Sequence, residues 1–356
     1  MSGAEFQLIA GRFRLTRLLG SGANGQVWLA SDERLQRPVA VKVLLPEKVD
    51  EVSIQRLERE ARAAAAIQHP NVVHVFDYIE DSGRTLIVME FVEGETLLDM
   101  LGRLKTLALN EAIELTAQIC DGLAAAHKQQ LIHRDLKPGN VVVTDDGIAK
   151  ILDFGIAKRT GRSEVRLTKT GAVVGTPHYM APEQLTGENV DARADVYAAG
   201  LLLYEMLAGR QAFRGKTVGL LLTNIVTELP DFEPLTSRNV PPDVIAIVAR
   251  ALQKTPEARW ADASEMAHAL RVGLYGEAIL ARRTPTPTRS AAMRSTIIDE
   301  TVHGSETASE AQGPLRGLLA INSANGTKGG VSMKALGAAA IAVVAAGALF
   351  VMFRGR

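Results

Sequence analysis

The chain has 356 residues, 47% of them hydrophobic, so it can bury a large core and is too long for one small domain. Lys plus Arg and Asp plus Glu both total 40, which gives no net field toward nucleic acid, and we expect no nucleic-acid partner. The single cysteine, Cys120, excludes an intramolecular disulfide. It lies in an apolar, helix-like stretch, which favours a buried thiol in a reducing compartment.

A glycine-rich segment is the first distinctive feature after an N-terminus that lacks a secretory pattern. It has the form G-x-G-x-x-G-x-V, in which glycines let backbone N–H groups approach phosphate oxygens. Its residues are Leu19, Gly20, Ser21, Gly22, Ala23, Asn24, Gly25, Gln26 and Val27. A dinucleotide fold would need a helix next, but strand-like sequence follows at 27–30 and again at 39–44. This order excludes the dinucleotide fold.

The second of these strands carries a cation near the loop. Side chains two apart share a face of a strand, so Ala40 and Lys42 point one way while Val39, Val41 and Val43 point the other way. A small residue that can lie against a flat base thus stands beside a cation that can reach its phosphates. We interpret Lys42 as a phosphate ligand rather than a solvated edge lysine, because its strand is strongly apolar.

A helix predicted over residues 52–67 offers this lysine an anion. Its apolar stripe consists of Leu57, Ala61, Ala64 and Ile67. Glu60 falls on the stripe, and a carboxylate on a buried face needs a partner. We therefore predict that Glu60 pairs with Lys42, whereas Glu58, on another face, is expected to be solvated.

Two polar motifs lie close together in the middle of the chain: H-R-D-L-x-x-x-N ends at Asn140, and D-F-G begins at Asp153. The apolar runs 141–143 and 148–152, joined by Thr-Asp-Asp-Gly, predict a β-hairpin centred on Asp146 and Gly147. That hairpin would place Asn140 opposite Asp153. An amide oxygen and a carboxylate are suitable ligands for Mg²⁺, which leaves Asp135, upstream, available as a base.

Taken in order, the glycine loop, V-A-V-K, HRDLKPGN, DFG and the A-P-E at 181–183 resemble the eukaryotic-type protein kinase family. The chain looks most similar to the membrane-anchored bacterial serine/threonine kinases. The resemblance covers residues 8–274 and implies an α+β, two-lobed kinase fold. A β-rich N-lobe would span about residues 8–92 and a helical C-lobe about residues 93–274.

The resemblance assigns catalytic and metal-binding roles to the matching residues. Lys42, paired with Glu60, would hold the α- and β-phosphates of ATP. Asp135 would accept the proton of the substrate hydroxyl, with Lys137 as an electrostatic clamp beside it. Mg²⁺ (or Mn²⁺) would bind the remaining two positions, Asn140 and Asp153.

The resemblance also outlines the site of the base. The backbone of Glu90 and Val92 would bond adenine, with Met89 guarding the pocket behind them. The apolar residues that would sandwich the base are Val27, Ala40 and Val142.

Further matches distinguish the subclass and its scaffold. Lys137 together with Thr176 follows the serine/threonine pattern rather than the tyrosine pattern. Asp195 matches the aspartate that braces the catalytic loop from a helix start. Glu183 and Arg259 match an internal ion pair of the family, which we interpret as structural.

Arg134, directly before Asp135, needs an anion. The segment between Asp153 and Glu183 is polar and basic, and Thr168 and Thr170 in it resemble the positions that bacterial kinases phosphorylate in themselves. Phosphate on either threonine could bind Arg134 through charge-assisted bonds and order the segment. We therefore expect autophosphorylation to activate the protein.

The composition changes after residue 280. Residues 282–334 are rich in Thr, Pro, Ser and Gly and predict a disordered linker. Residues 335–353 form an uncharged run of membrane-spanning length, which predicts one transmembrane helix with the catalytic domain on the cytoplasmic side of the cell membrane. The linker threonines could bind a phosphothreonine-recognising partner, although an inert spacer is the alternative. They are Thr284, Thr286, Thr288 and Thr296.

Two other functions compete with protein phosphorylation. A pseudokinase scaffold would have lost a catalytic or metal-binding residue, but the five family residues are present: Lys42, Glu60, Asp135, Asn140 and Asp153. A small-molecule phosphotransferase would not need the A-P-E segment, which matches a peptide-docking platform. The expected partners are proteins that bear Ser or Thr; their identity, the activating signal and the oligomeric state, with a homodimer as one alternative, are left open.

Overall fold

We describe the fold from a computed structural model of the chain. The structure describes residues 8–22, 25–44, 51–81, 83–154, 166–167, 173–174 and 177–275.

The N-terminal part is built on a six-stranded antiparallel sheet with the order β1-β2-β3-β4-β6-β5. Its strands are β1 (Leu8–Ile9), β2 (Phe13–Gly22), β3 (Gly25–Asp32), β4 (Arg37–Leu44), β5 (Val75–Asp81) and β6 (Arg84–Glu90). The last residue pair of the β2–β3 hairpin is Gly22 with Gly25, so the glycine loop is a hairpin tip. The predicted order of strand, glycine loop and strand is confirmed.

The two faces of β4 enter different cores, as the alternation predicted. Val39 and Val41 pack in a small cluster with Phe13 and Leu15 of β2. Ala40 instead belongs to the large core that continues into the helical part of the molecule. Strand β4 therefore separates the outer N-lobe core from the side that faces the C-lobe.

Helix α1 (Glu51–Ala65) packs against β5. Ala61, Ala64 and Ile67 are buried, and Glu60 is 9% exposed among them. The side chain of Leu57 lies outside the described residues. Glu58 is partly exposed and forms an ion pair with Arg62 one turn on, in agreement with the expectation that it is solvated.

Helices dominate the C-terminal part. They are α2 (Leu97–Leu104), α3 (Leu109–Lys128), α4 (Pro182–Thr186), α5 (Arg193–Ala208), α6 (Val218–Thr227), α7 (Glu233–Thr236), α8 (Pro242–Ala251) and α9 (Ala263–Tyr275). Helix α3 packs against α5 and α9, and α5 is buried on almost every side, as a central core helix must be. Cys120 on α3 is fully buried, and this burial raises the pKa of its thiol.

A three-stranded sheet of β7 (Glu95–Thr96), β8 (Val141–Val143) and β9 (Ala149–Ile151) lies at the start of this helical part. The β8–β9 hairpin is present as predicted, with Gly147 at φ +75° in its turn. Its register is one residue away from the predicted one, because Leu152, not Asp153, bonds the carbonyl of Asn140, at 2.8 Å. The turn holds three residues rather than two, since the amide of Thr144 donates to the carbonyl of Ile148.

The described part of the chain thus has the predicted β-rich lobe and helical lobe. Strands β10 (Arg166–Leu167) and β11 (Val173–Val174) form a separate antiparallel pair. Within the described ranges, no helix combines the length and the apolar character needed to cross a bilayer. The predicted linker at 282–334 and the predicted membrane helix at 335–353 lie outside those ranges.

Candidate active site

The loop between α3 and β8 carries Asp135, and a buried carboxylate fixes its backbone. Asp195, in the first turn of α5, is 1% exposed. Its two oxygens accept the amide of His133 at 2.8 Å and the amide of Arg134 at 2.9 Å. A third bond, at 2.8 Å, joins it to His127 Nε2. These bonds hold Arg134 at φ +63°, a conformation that non-glycine residues rarely adopt. They therefore fix the direction in which the backbone enters Asp135.

His133 connects this loop to the strand beyond it. Its Nδ1 accepts the amide of Asp135 at 3.2 Å, and its Nε2 lies 2.8 Å from the carbonyl of Leu152. Because Nδ1 accepts, Nε2 must carry the proton and donate. The imidazole is fully buried and contacts the ring of Phe154 at 5.0 Å between centroids. One histidine thus joins the residue before Asp153 to the backbone of Asp135.

Polar side chains surround the Asp135 carboxylate. Lys137 Nζ lies 2.9 Å from Asp135 Oδ2. The Asn140 amide nitrogen donates to the carbonyl of Asp135 at 2.8 Å and lies 3.4 Å from its Oδ2. All three residues are half-buried, so the structure brings together the predicted base, its clamp and one predicted metal ligand.

Lys42 joins the two lobes at the site. Its Nζ forms an ion pair with Asp153 Oδ1 at 2.9 Å, and its side chain is 11% exposed. Asp153 is held at φ +49°, another uncommon backbone conformation. Glu60 is buried on α1, and its pairing with Lys42 stays a prediction. Asp153 is a carboxylate that the resemblance did not assign to this lysine.

The donor set at the base of the β8–β9 hairpin fits a divalent cation. The Asn140 amide nitrogen is occupied by Asp135, which leaves its Oδ1, a hard oxygen, for a metal. Asp153 adds a carboxylate one residue beyond the backbone bond of Leu152. Among the described residues, no group of three or more His, Cys, Asp or Glu side chains could hold a metal. Mg²⁺ takes few protein ligands and completes its shell with phosphate and water, so two suffice.

The apolar residues predicted to line a nucleotide cleft lie on strands of both lobes. Ala40, Met89 and Val142 are buried, and Val27 is half-buried. A cavity lined mainly by apolar side chains lies beyond Met89 and reaches Asp153 and Phe154. Glu90 ends β6, and Val92 follows in the connection to the C-lobe. The residues predicted to surround the base therefore lie on the elements that border this cleft.

Two glycine positions in the loop differ in what the backbone requires. A Cβ at Gly22 would meet nothing within 4 Å. Gly25 has φ +133°, and a Cβ there would stand 2.2 Å from the carbonyl oxygen of Val43, so only glycine fits. Leu19, Gly20, Ser21 and Gln26 belong to the hairpin strands, whereas Ala23 and Asn24 lie outside the described residues.

The segment after Asp153 is described only in part, and Thr168, Thr170 and Thr176 lie outside the described residues. From Pro177 onward it is anchored by buried contacts. Glu183 and Arg259 form the predicted ion pair with two bonds of 2.7 Å, both side chains being almost fully buried.

Two contacts near this anchor were not predicted. Gln184 Nε2 donates to the carbonyl of Arg134 at 2.9 Å, which joins the A-P-E helix to the catalytic loop. Tyr179 Oη donates to Glu205 Oε2 at 2.6 Å, and burial raises the pKa of both groups. Neither partner is close in sequence, so no local pattern could have shown them.

The comparisons with known proteins agree with this geometry. The family model for the protein kinase domain matches residues 13–270, which is most of the chain. The chain belongs to the protein kinase domain family. A probable serine/threonine-protein kinase of Streptomyces coelicolor is 39% identical over 280 residues, covering 77% of this chain and 42% of that protein. Serine/threonine-protein kinase PknA of Corynebacterium glutamicum is 40% identical over 293 residues, covering 81% of this chain and 60% of that protein.

A solved structure shares the fold. The crystal structure of Rad53 1-466 in complex with AMP-PNP aligns with a TM-score of 0.62 and 26% identity, covering 72% of this chain and 64% of that one. The chain spans only 42% to 60% of the length of the two curated relatives described above. The kinase domain is therefore the shared part.

Proposed function

We propose that this chain is an ATP-dependent protein kinase that transfers the γ-phosphoryl group of ATP to serine and threonine hydroxyls of proteins. The observation that carries this proposal is the position of Asp135. Asp195 holds the amide of Arg134 directly before it, and His133 accepts the amide of Asp135 itself, while Lys137 and Asn140 lie against its carboxyl group. The names of the relatives and the ATP analogue bound by Rad53 support the same activity.

Each residue of the site has a role in the proposed reaction. Asp135 orients the substrate hydroxyl and accepts its proton, and Lys137 offsets the negative charge that spreads over the phosphoryl oxygens. Lys42 holds the α- and β-phosphates, aimed by an adjacent carboxylate. Asn140 and Asp153 would hold Mg²⁺, which would supply positive charge against the phosphates. The backbone of Glu90 and Val92 bonds adenine.

The test is transfer of labelled γ-phosphate from ATP to a generic basic protein, followed by identification of the modified amino acid. We expect phosphoserine and phosphothreonine without phosphotyrosine, because Lys137 and Thr176 follow the serine/threonine pattern. Nucleotide binding without transfer, after preincubation with Mg-ATP, would support a pseudokinase scaffold instead. Transfer to small molecules but to no protein would support a small-molecule phosphotransferase.

Membrane attachment is a second part of the proposal. The motivating feature is the uncharged run 335–353, which at about 1.5 Å per helical residue reaches nearly the thickness of a hydrocarbon core. The whole chain should sediment with membranes and resist carbonate, whereas a chain ending at Gly330 should stay in the supernatant with its kinase activity. A whole chain found entirely in the supernatant would contradict the span.

We propose further that phosphorylation at Thr168 or Thr170 activates the domain through Arg134. Protein made together with a phosphatase should have low activity and recover on preincubation with Mg-ATP. The double variant Thr168→Ala/Thr170→Ala should lose that recovery, whereas a Thr144→Ala variant, altered in a hairpin turn, should keep it. Normal activation of the double variant would contradict this mechanism.

The linker threonines at 284, 286, 288 and 296 are proposed as sites that the tethered domain phosphorylates for a phosphothreonine-binding partner. Basic residues flank them, and the segment is rich in Thr, Pro, Ser and Gly. A phosphosite map of the purified, Mg-ATP-treated chain checks this. A map without sites across 282–334 would favour the inert spacer.

A further inference from the structure

An ion pair connects the end of β6 with strand β9. Lys150, on β9, donates from Nζ to both carboxylate oxygens of Glu90, at 2.7 and 3.0 Å. The side chains are 18% and 30% exposed, so water screens the pair only in part. Lys150 stands opposite Val142 in the hairpin register, which places it beside the cleft wall.

A third segment completes a ring of bonds around this pair. The amide of Glu90 donates to the carbonyl of His74 at 2.9 Å, and the amide of His74 donates to Glu90 Oε2 at 3.3 Å. The next residue back, Val73, donates to the carbonyl of Ile151 at 3.0 Å. The segment before β5, the end of β6 and strand β9 are therefore bonded to each other in all three pairings.

The ring lies between the two ends of the proposed nucleotide site. Glu90 is the residue whose backbone would bond adenine, and β9 belongs to the hairpin that begins after Asn140 and ends before Asp153. The ion pair therefore links the strand end that carries the adenine contact to the hairpin that carries the metal ligands, and it does so beside the backbone bonds of the third segment. A second connection runs through β7, which follows Glu90 closely in the chain and pairs with β8.

We propose that Lys150 is a positioning residue that, through the carboxylate of Glu90, holds the adenine-binding end of β6 in register with the metal-binding hairpin. The inference rests on the proposed function, because it needs adenine at Glu90. With the pair in place, ATP meets a site whose two ends are already spaced. Without the pair, part of the binding free energy is used to bring the end of β6 and the metal-binding hairpin to the correct spacing, so nucleotide affinity falls.

The experiment compares nucleotide binding in the whole chain and its variants. Binding of Mg-AMP-PNP is measured by calorimetry, and the KM for ATP and kcat are measured with a basic protein substrate. The variants are Lys150→Met, Lys150→Arg, Glu90→Gln and the double variant Lys150→Met/Glu90→Gln. Lys128→Met is the matched control, because Lys128 is exposed at the end of α3.

Lys150→Met should raise both the Kd for AMP-PNP and the KM for ATP by about three- to tenfold, which corresponds to the net contribution of one typical hydrogen bond, while kcat changes by less than about twofold. Lys150→Arg should stay within about twofold of the parent, since guanidinium can bond both oxygens. Glu90→Gln should weaken binding too, and adding Lys150→Met to it should cause little further loss. The amides of His74 and Glu90 should exchange hydrogen faster in Lys150→Met.

Three results would overturn the inference: an unchanged affinity in Lys150→Met, an equal loss in the Glu90→Gln background, or an equal loss in Lys128→Met. A merely structural pair would lower thermal stability without separating KM from kcat. If Lys150→Met does not fold, Glu90→Gln must by itself raise the Kd, or the inference is wrong. If the parent binds no nucleotide, the proposed function is contradicted as well. If the parent and Lys150→Met bind AMP-PNP with the same affinity, only the inference is contradicted.

Discussion

The catalytic loop and the glycine loop both serve the phosphates in the proposed reaction, but the protein supports them differently. The catalytic loop is anchored by Asp195 and His133, both almost fully buried, through bonds to its backbone. The outer part of β2, including Leu18 and Leu19, is exposed, and Gly22 has open space around it. Buried contacts within the protein therefore fix the backbone around Asp135. The outer part of β2, which would cover the phosphates, makes few such contacts.

The variant with the largest expected effect removes the base and leaves the buried anchors of the catalytic loop in place. Asp135→Asn should lower phosphoryl transfer by about 10²- to 10⁴-fold, because it removes the base, while AMP-PNP binding and thermal stability stay near those of the parent. Transfer assays and calorimetry on the same protein check both halves. Gly22→Ala, in the other loop, is the companion variant and should lose far less. Near-normal turnover in Asp135→Asn would show that another group takes the proton.

The next variant changes the buried carboxylate that anchors the catalytic loop and leaves Asp135 in place. Asp195→Asn puts an amide N–H₂ where two backbone N–H groups need acceptors. We expect a loss of about 2–4 kcal/mol in unfolding free energy, together with a lower kcat. Denaturant unfolding and steady-state kinetics measure the two effects. If kcat fell with stability unchanged, Asp195 would act on the reaction directly rather than by holding the loop.

Within the glycine loop, the two glycine positions should respond differently. Gly25→Ala should destabilise the protein by about 1–3 kcal/mol, because its positive φ and the carbonyl of Val43 leave no room for a Cβ. Gly22→Ala should change stability by less than about 0.5 kcal/mol. Thermal unfolding of both variants beside the parent decides this. Equal destabilisation would mean that the open space at Gly22 is occupied in solution.

The last effect concerns Lys254, which lies next to Arg259 of the buried ion pair and not at the catalytic loop. Burial, with help from Arg259 and against Glu228, lowers the pKa of Lys254 to about 8. The folded state gives up this proton more readily than the unfolded chain, so stability should rise as the pH goes from 8 toward 10. Parent and Lys254→Met should be compared by thermal unfolding from pH 7 to 9.5. The parent should gain relative to the variant, and a parallel response would show that the bonds to Ile225 and the ring of Phe213 keep the lysine charged.

Local patterns predicted the elements of the site well. Alternation in β4 correctly separated Ala40 from Val39 and Val41, and turn chemistry located the β8–β9 hairpin. The register of that hairpin was wrong by one residue, because an Asp-Gly signal does not distinguish a two-residue turn from a three-residue turn.

The sequence predicted only some of the contacts that depend on the tertiary fold. Asp195 and the pair of Glu183 with Arg259 followed from the family resemblance. The bond from Lys42 to Asp153 did not, since a lysine between lobes can reach more than one carboxylate. Lys150 and Glu90 are 60 residues apart, and neither belongs to a periodic pattern that points to the other. The chain order of motifs thus predicts which residues meet, but not every bond that spaces them.

The ion pair of Glu183 and Arg259 has a consequence for the order in which the domain is completed during synthesis. Its partners are 76 residues apart, and Arg259 lies near the end of the matched domain. A buried charge left without its partner costs about 3–5 kcal/mol. A nascent chain that has not yet reached Arg259 therefore cannot hold Glu183 in its buried position. The A-P-E helix, together with the bond of Gln184 to the catalytic loop, is completed only after the chain has been made as far as Arg259, between α8 and α9.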